Sequence, residues 1–129
     1  MSRTAPLRFI VVGCAAALTH WLVASFAMGP LMAWPALIAN VLGFSVAFWV
    51  SYAGHHRWTF RSDAPHGQAI WRFALVAIGS FLLNEAMFAA LLRWTPLPPR
   101  LSLALVLVAV AGLTYLLGRR WAFVRSVPA

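Results

Sequence analysis

Four apolar runs, at about 9–28, 36–53, 69–92 and 101–117, decide what this chain can fold into. Each holds roughly twenty residues, and a helix of that length, rising about 1.5 Å per residue, reaches about 30 Å, the thickness of a bilayer's hydrocarbon core. No water is available there to satisfy backbone N–H and C=O groups, so each run has to close its hydrogen bonds within itself as an α-helix. Of the 129 residues 63% are apolar and 9% charged, with a mean hydropathy of +0.83, a balance that soluble domains do not show. What remains outside the runs is too short for a second domain. The expected class is an all-α membrane protein, one domain over residues 1–129, with four transmembrane helices.

Arg3 and Arg8 precede the first run and small residues lie near Ser25 to Ala27, a pattern shared with cleaved signal peptides. The run is longer than a signal core of about 7 to 15 residues, and it has a counterpart in the second half of the chain, which favours a retained span. That counterpart belongs to an internal repeat. A shift of 63 superposes Tyr52 on Tyr115, Arg57 on Arg120, Trp58 on Trp121 and Phe60 on Phe123, and a shift of 64 places Arg8-Phe9 on Arg72-Phe73. Each half starts on Arg-Phe, passes through two apolar runs and ends on a basic aromatic motif. The expected arrangement is two tandem two-helix units.

Gly29-Pro30 and Pro35 mark an uncharged turn between the first two runs, and Thr95-Pro96 with Pro98-Pro99 a turn between the last two. Ser62 to Gln68 reads as the polar loop dividing the halves. Ala39, Gly43 and Ala47 recur every four residues in the second run, a small-residue stripe that suits close approach of another helix. The fourth run is the most uniformly apolar and is expected to face lipid over more of its circumference than the others.

The ten basic residues are all arginine, for a formal charge of +8. In a soluble domain that balance would suggest nucleic acid; here the arginines stand at the ends of apolar runs, so anionic lipid head groups, worth roughly 1 kcal/mol per residue, are the expected partners, and nucleic acid is not. In a four-span arrangement Arg3, Arg8, Arg57, Arg61, Arg72, Arg119, Arg120 and Arg125 share one side, against Arg93 and Arg100 on the other. The positive-inside rule then places both termini and the central loop in the cytoplasm. Cys14 is the single cysteine and can form no internal disulfide.

A strongly polar side chain within the hydrocarbon is costly, about 2.5 to 3.5 kcal/mol for an acid at a helix centre, and so requires a partner or a purpose. His20 lies twelve residues beyond Arg8 and Glu85 thirteen beyond Arg72, which puts both at about 18 to 20 Å from the arginine-rich boundary. Asn40 and Asn84 fall close to the same height. These four residues are expected to form an intramembrane polar layer. In a purely structural reading they hydrogen-bond across helices, with Glu85 protonated or paired to His20. An intramembrane acid is equally a candidate for a substrate or proton pathway.

At the basic boundary Arg8, His56, Arg57, Arg61, Arg72, Arg119 and Arg120 are candidates for binding a phosphate or lipid head group, His55 adjoining them, with Trp58 and Trp121 as interfacial anchors. There is no phosphate-binding glycine loop, no paired cysteine and no acidic metal cluster; the His55-His56 pair lacks further ligands at useful spacing, so no metal or other cofactor is expected. With two carboxylates in all, Asp63 and Glu85, the chain is read as a non-enzyme.

Arg8-Phe9 with Val12-Gly13, Ser51-Tyr52 ahead of His55-His56-Arg57-Trp58-Thr59-Phe60, and the second pass through Arg72-Phe73, Asn84 and Arg119-Arg120-Trp121-Ala122-Phe123 together resemble the GtrA-like family of small four-span membrane proteins. The resemblance covers nearly the whole chain. It implies a bacterial-type cytoplasmic membrane and a role in cell-surface polysaccharide or glycolipid synthesis, as a translocase (flippase) component for a polyprenyl-phosphate-linked sugar. Similar domains also anchor membrane glycosyltransferases of the dolichol-phosphate mannose synthase type, so a scaffold without transport activity is the alternative. The chain departs from the family's pattern at His20, a first-span position where many relatives carry an acid, so the resemblance does not carry over a role that rests on an acid there. A small proton-coupled multidrug exporter, also four-span with an intramembrane acid, is the third reading, disfavoured because that acid sits in the first span and here it is in the third. Four helices make a thin bundle, and a homo-oligomer, in the simplest case a dimer, is the expected assembly for a sugar path.

Overall fold

The structure, a computed structural model, describes residues 4–59 and 66–117. Four helices account for nearly all of them: α1 (Ala5–Met28), α2 (Ala36–Gly54), α3 (His66–Trp94) and α4 (Pro99–Leu117), each containing a stretch apolar and long enough to cross a bilayer. They alternate in direction. His20 meets Asn40 while Arg8 meets Trp58, so α1 and α2 are antiparallel; Phe44 stacks on Phe81 while Tyr52 meets Phe73, so α2 and α3 are as well. Arg8, Arg57 and Arg72 thus lie toward one end of the bundle, Arg93 and Arg100 toward the other.

Proline sets several boundaries, because it supplies a helical φ without needing an N–H partner. Pro6 sits in the first turn of α1, Pro35 caps α2, and Pro99 opens α4. The turn from α1 to α2 is held by Gly29 N–H to Phe26 O (3.0 Å), Ala33 N–H to Gly29 O (2.7 Å) and Trp34 N–H to Ala27 O (2.8 Å). It puts Ala33 at φ 51°, in the left-handed region that costs an L-residue roughly 1 kcal/mol.

The helices extend past the apolar runs. α2 continues beyond the expected end near residue 53 into a π-helical turn, His55–Thr59, so Arg57 and Trp58 belong to a helical extension. α3 starts at His66, which corrects the reading of Ser62 to Gln68 as loop: its last three residues are helical, drawn in by the apolar run that follows. The greater lipid exposure expected of α4 holds against α1 and α2 but not against α3. α3 is the least covered span, with 11% of it buried against 17% of α4 and 28% each of α1 and α2. Ser102, Leu103 and Val106 turn one face of α4 inward, a periodicity that a uniformly apolar run conceals.

Val12, Ala16, His20, Ala24 and Ala27 form a buried stripe on α1, against Ala39, Gly43 and Ala47 on α2. A Cβ on Gly43 would lie 2.6 Å from the His20 carbonyl oxygen, and one on Gly54 2.7 Å from Val12, so the first hairpin depends on glycine for its separation. The core proper, Ala24, Phe88, Leu103 and Val106 with Trp21, Met28, Met87 and Leu91 around it, fills the end of the bundle near Arg100. Toward the Arg8 end α4 leaves the others: every residue from 111 to 116 is exposed.

Candidate functional site

The four intramembrane polar residues come together on three helices. Asn40 is the hub. Its Oδ1 accepts from Nε2–H of His20 (2.6 Å), and its Nδ2 donates to Oδ1 of Asn84 (2.7 Å) and Oε1 of Glu85 (3.2 Å). Both amide protons are therefore committed, and the amide orientation requires the proton of His20 on Nε2. His20, Asn40 and Asn84 are buried, Asn40 completely; Glu85 is half-buried. Glu85 does not meet His20: the short Asn40 amide stands between them. His20 and Asn40 belong to the first hairpin and Asn84 and Glu85 to the second, so this network joins the hairpins across their middle.

Below the network, toward the Arg8 end, lies a furrow of about 180 Å³ to which all four helices contribute. His20 and Asn84 close its upper end, Ser51 and Ser80 add hydroxyls along it, and Phe44, Phe48, Phe73 and Phe81 make up much of its wall. The aromatic faces are ordered against each other, with Phe44 stacked on Phe81 at 4.4 Å and Phe48 tilted to Phe73 at 5.4 Å. A mainly apolar furrow of this size, with hydroxyl and amide groups at intervals, offers a small guest aromatic contact and a few hydrogen bonds. Above the network the packed core closes the bundle.

At the Arg8 end the half-buried Arg8 donates Nη1–H to the carbonyl oxygen of Trp58 (3.2 Å) and lies over its indole, 5.5 Å from the ring centroid. Arg57 and Arg72 are exposed. His56 stacks on Tyr52 at 5.4 Å, and His55 is buried with its ring stacked on Phe9 at 4.7 Å and tilted against Phe73 at 6.1 Å. His55 is therefore an aromatic packing element beneath the rim. Arg61, Arg119, Arg120 and Trp121 lie outside the described residues, as do Arg3 and Arg125. Of the rim candidates the structure brings Arg8 onto the segment carrying Arg57 and Trp58, and sets Arg72 next to Phe73 on the same side. Among the described residues no three His, Cys, Asp or Glu side chains cluster as metal ligands.

A family model described as GtrA/DPMS, transmembrane domain, matches residues 8–123. The chain belongs to that family. Comparison with curated proteins and with solved structures finds no match. Membership makes this GtrA/DPMS chain a multi-pass membrane protein of a family tied to polysaccharide and glycolipid synthesis, whose transmembrane domains are generally non-catalytic.

Two features of this GtrA/DPMS domain were not visible in the sequence reading. The furrow wall on α3, formed by Phe73, Ala77, Ser80, Phe81 and Asn84, follows helical spacing, and projecting the run onto a helix from Asn84 downward would have found it. The second feature is at the opposite end. Arg100 donates Nη2–H to the carbonyl oxygen of Ser25 (3.1 Å), and its own carbonyl accepts from Nε1–H of Trp21 (2.9 Å). A contact between residues 75 apart in the chain, through a backbone carbonyl, leaves no signal in spacing.

Proposed function

We propose that the chain is a translocase (flippase) component that moves a polyprenyl-phosphate-linked sugar from the cytoplasmic to the outer leaflet of a bacterial-type cytoplasmic membrane during cell-surface polysaccharide or glycolipid synthesis. The observation that carries this reading is the furrow, which runs from Ser51 and from Phe73, the neighbour of Arg72, up to the His20–Asn40–Asn84 level. In it Arg57 and Arg72, with Arg61, Arg119 and Arg120, take the phosphate at the cytoplasmic boundary by charge-assisted hydrogen bonds. The sugar enters against Ser51 and Ser80 and reaches His20 and Asn84. A sugar hydroxyl taken into hydrocarbon without a partner costs roughly 2 to 7 kcal/mol, and polar groups set along an aromatic wall offset that cost. The polyprenyl chain stays in lipid at the open side. A second copy facing the furrow would complete the path, which is why a dimer is part of the proposal.

The test is movement of a fluorescent polyprenyl-phosphate sugar across vesicles that hold the purified protein and nothing else. Wild type is expected to move it, and Arg57→Ala with Arg72→Ala to slow it about tenfold, equivalent to about 1.4 kcal/mol of lost phosphate capture. Equal rates in correctly inserted variants would remove the capture role. Movement absent from vesicles, with transferase localisation altered in cells, would favour the glycosyltransferase scaffold.

A further inference from the structure

We infer that His20, Asn40 and Glu85 form a proton-binding site whose occupancy is tied to contact between the two hairpins. Three observations lead there. Glu85 is the one carboxylate in the spans, it is half-buried, and its described hydrogen bond comes from Asn40. His20 is the other ionisable group of the network, and it both holds Asn40 and lines the furrow. The amide between them fixes the hydrogen-bond direction, running from His20 through Asn40 to Glu85.

Protonation arithmetic gives the network two charge states that differ in what they ask of the hairpins. With His20 neutral and Glu85 ionised the network carries one net negative charge; one proton, taken on the carboxylate or on the His20 Nδ1, brings the net charge to zero. A proton on Glu85 leaves Oε1 an acceptor for Asn40 but lowers its charge, weakening a bond that spans the hairpins. A proton on His20 strengthens the bond to Asn40 Oδ1 and, by polarising that amide, also strengthens the donation of Asn40 Nδ2–H to Asn84 and Glu85. Either way, the link between α2 and α3 changes with one proton.

The surroundings contain few other charges. Between Ala36 and Ser51 α2 has no ionisable side chain, and α4 presents Ser102, Leu103, Val106, Leu107 and Val110 to the interior. From α4 the facing cation is Arg100, held at Ser25, five residues or about 7.5 Å of helix above His20. On α3 the cations are Arg93, eight residues beyond Glu85, and Arg72, thirteen before it. His55, on the extension of α2, lies fifteen residues below Asn40. The furrow, lined from Ser51 and Phe73 up to His20, would give the proton an approach to His20 from the Arg8 side that does not cross the packed core. Resting on the translocase reading, the coupling would let a pH difference across the membrane bias which leaflet the furrow serves.

Purified wild type and the double variant His20→Gln/Glu85→Gln, in weakly buffered detergent, would be titrated from about pH 9 to about pH 5, a window that includes the ordinary His value of about 6.5 and stops above the ordinary Glu value of about 4.3. The expected result is about one proton fewer per chain in the variant, with the single variants showing which side chain takes it. Glutamine keeps a donor for Asn40 at one position and an acceptor at the other, and thermal unfolding in detergent verifies that the fold persists. Equal uptake by wild type and double variant overturns the site. In vesicles, a pH gradient should change lipid-linked sugar movement several-fold for wild type and not for the double variant; movement indifferent to the gradient overturns the coupling. No movement under any gradient, with the proton difference intact, rejects the translocase reading and leaves the proton site standing.

Discussion

Between α1 and α2 the backbones meet at glycine: a methyl group on Gly43 would lie 2.6 Å from the His20 carbonyl oxygen and one on Gly54 2.7 Å from Val12, whereas methyl groups on Gly79 in α3 and Gly112 in α4 would meet nothing within 4 Å. The two hairpins carry matching motifs and similar apolar lengths, yet the first is zipped along its whole length and the second is joined mainly at its Arg100 end. In lipid there is no hydrophobic gain from bringing two apolar helices together, so the closeness of backbones decides the strength of the contact. The first hairpin therefore serves as the frame. α3 and α4 are set against it by a few specific bonds, and the furrow exists because they do not close on it.

The largest effect should come from Gly43. A leucine there has to displace the His20 backbone and ring together, which in a packed site costs about 3 kcal/mol or more. The same substitution at Gly112 meets open space and should stay within about 0.5 kcal/mol. Reversible unfolding in denaturing micelles measures both, and comparable losses at the two glycines would erase the distinction between frame and attached hairpin.

Next in size is Asn40→Ala. It removes three hydrogen bonds that average about 0.6 kcal/mol each within a membrane, for a loss of about 2 kcal/mol. Ser45→Ala, on the same helix, deletes a bond from Ser45 Oγ to its own Val41 carbonyl and should be nearly neutral. The sharper readout is local. With Asn40 gone the second hairpin loses its mid-level tie, so a Ser80→Cys thiol in the furrow of a Cys14→Ser background should react several-fold faster with a water-soluble maleimide. Unchanged labelling would mean that the hairpins are held together by something other than this amide.

How far the sequence could be read follows from the same contrast. Run length and the cost of a bare backbone in hydrocarbon are one-dimensional constraints, so four spans and their approximate limits could be read directly. The gathering of His20, Asn40, Asn84 and Glu85 at one level was legible because helix rise converts residue counts into heights. Height carries no angle, however, and the order of the bonds, with Asn40 between His20 and Glu85, depends on helix rotation. His55 illustrates the limit: in the motif it reads as one more basic residue, while the antiparallel register of α1 brings Phe9 onto it and makes it a packing ring. The inward face of α4 was concealed because leucine and valine look alike toward lipid and toward protein.

The smallest expected effect concerns the end where both hairpins are closed. Arg100 reaches across to the last turn of α1, where carbonyl groups lack intrahelical donors and the helix dipole favours a positive charge. Arg100→Ala removes the guanidinium but keeps the backbone carbonyl that accepts from Trp21, so half of the contact survives and the loss should be about 0.5 to 1 kcal/mol. Arg93, whose described contact is with the ring of its own neighbour Trp94 at 5.8 Å, provides the control, and Arg93→Ala should change little. Gly29→Ala approaches the same contact from the other side, since its Cβ would stand 3.2 Å from the Phe26 carbonyl oxygen and 3.3 Å from Arg100 Nη2, and of the two the flexible guanidinium is the group that can move outward. If unfolding in micelles ranks Arg100→Ala and Gly29→Ala together and above Arg93→Ala, the second hairpin is fastened at this end by a cation on a helix terminus. Equal values for both arginines would leave that fastening to the apolar core of Ala24, Phe88, Leu103 and Val106 alone.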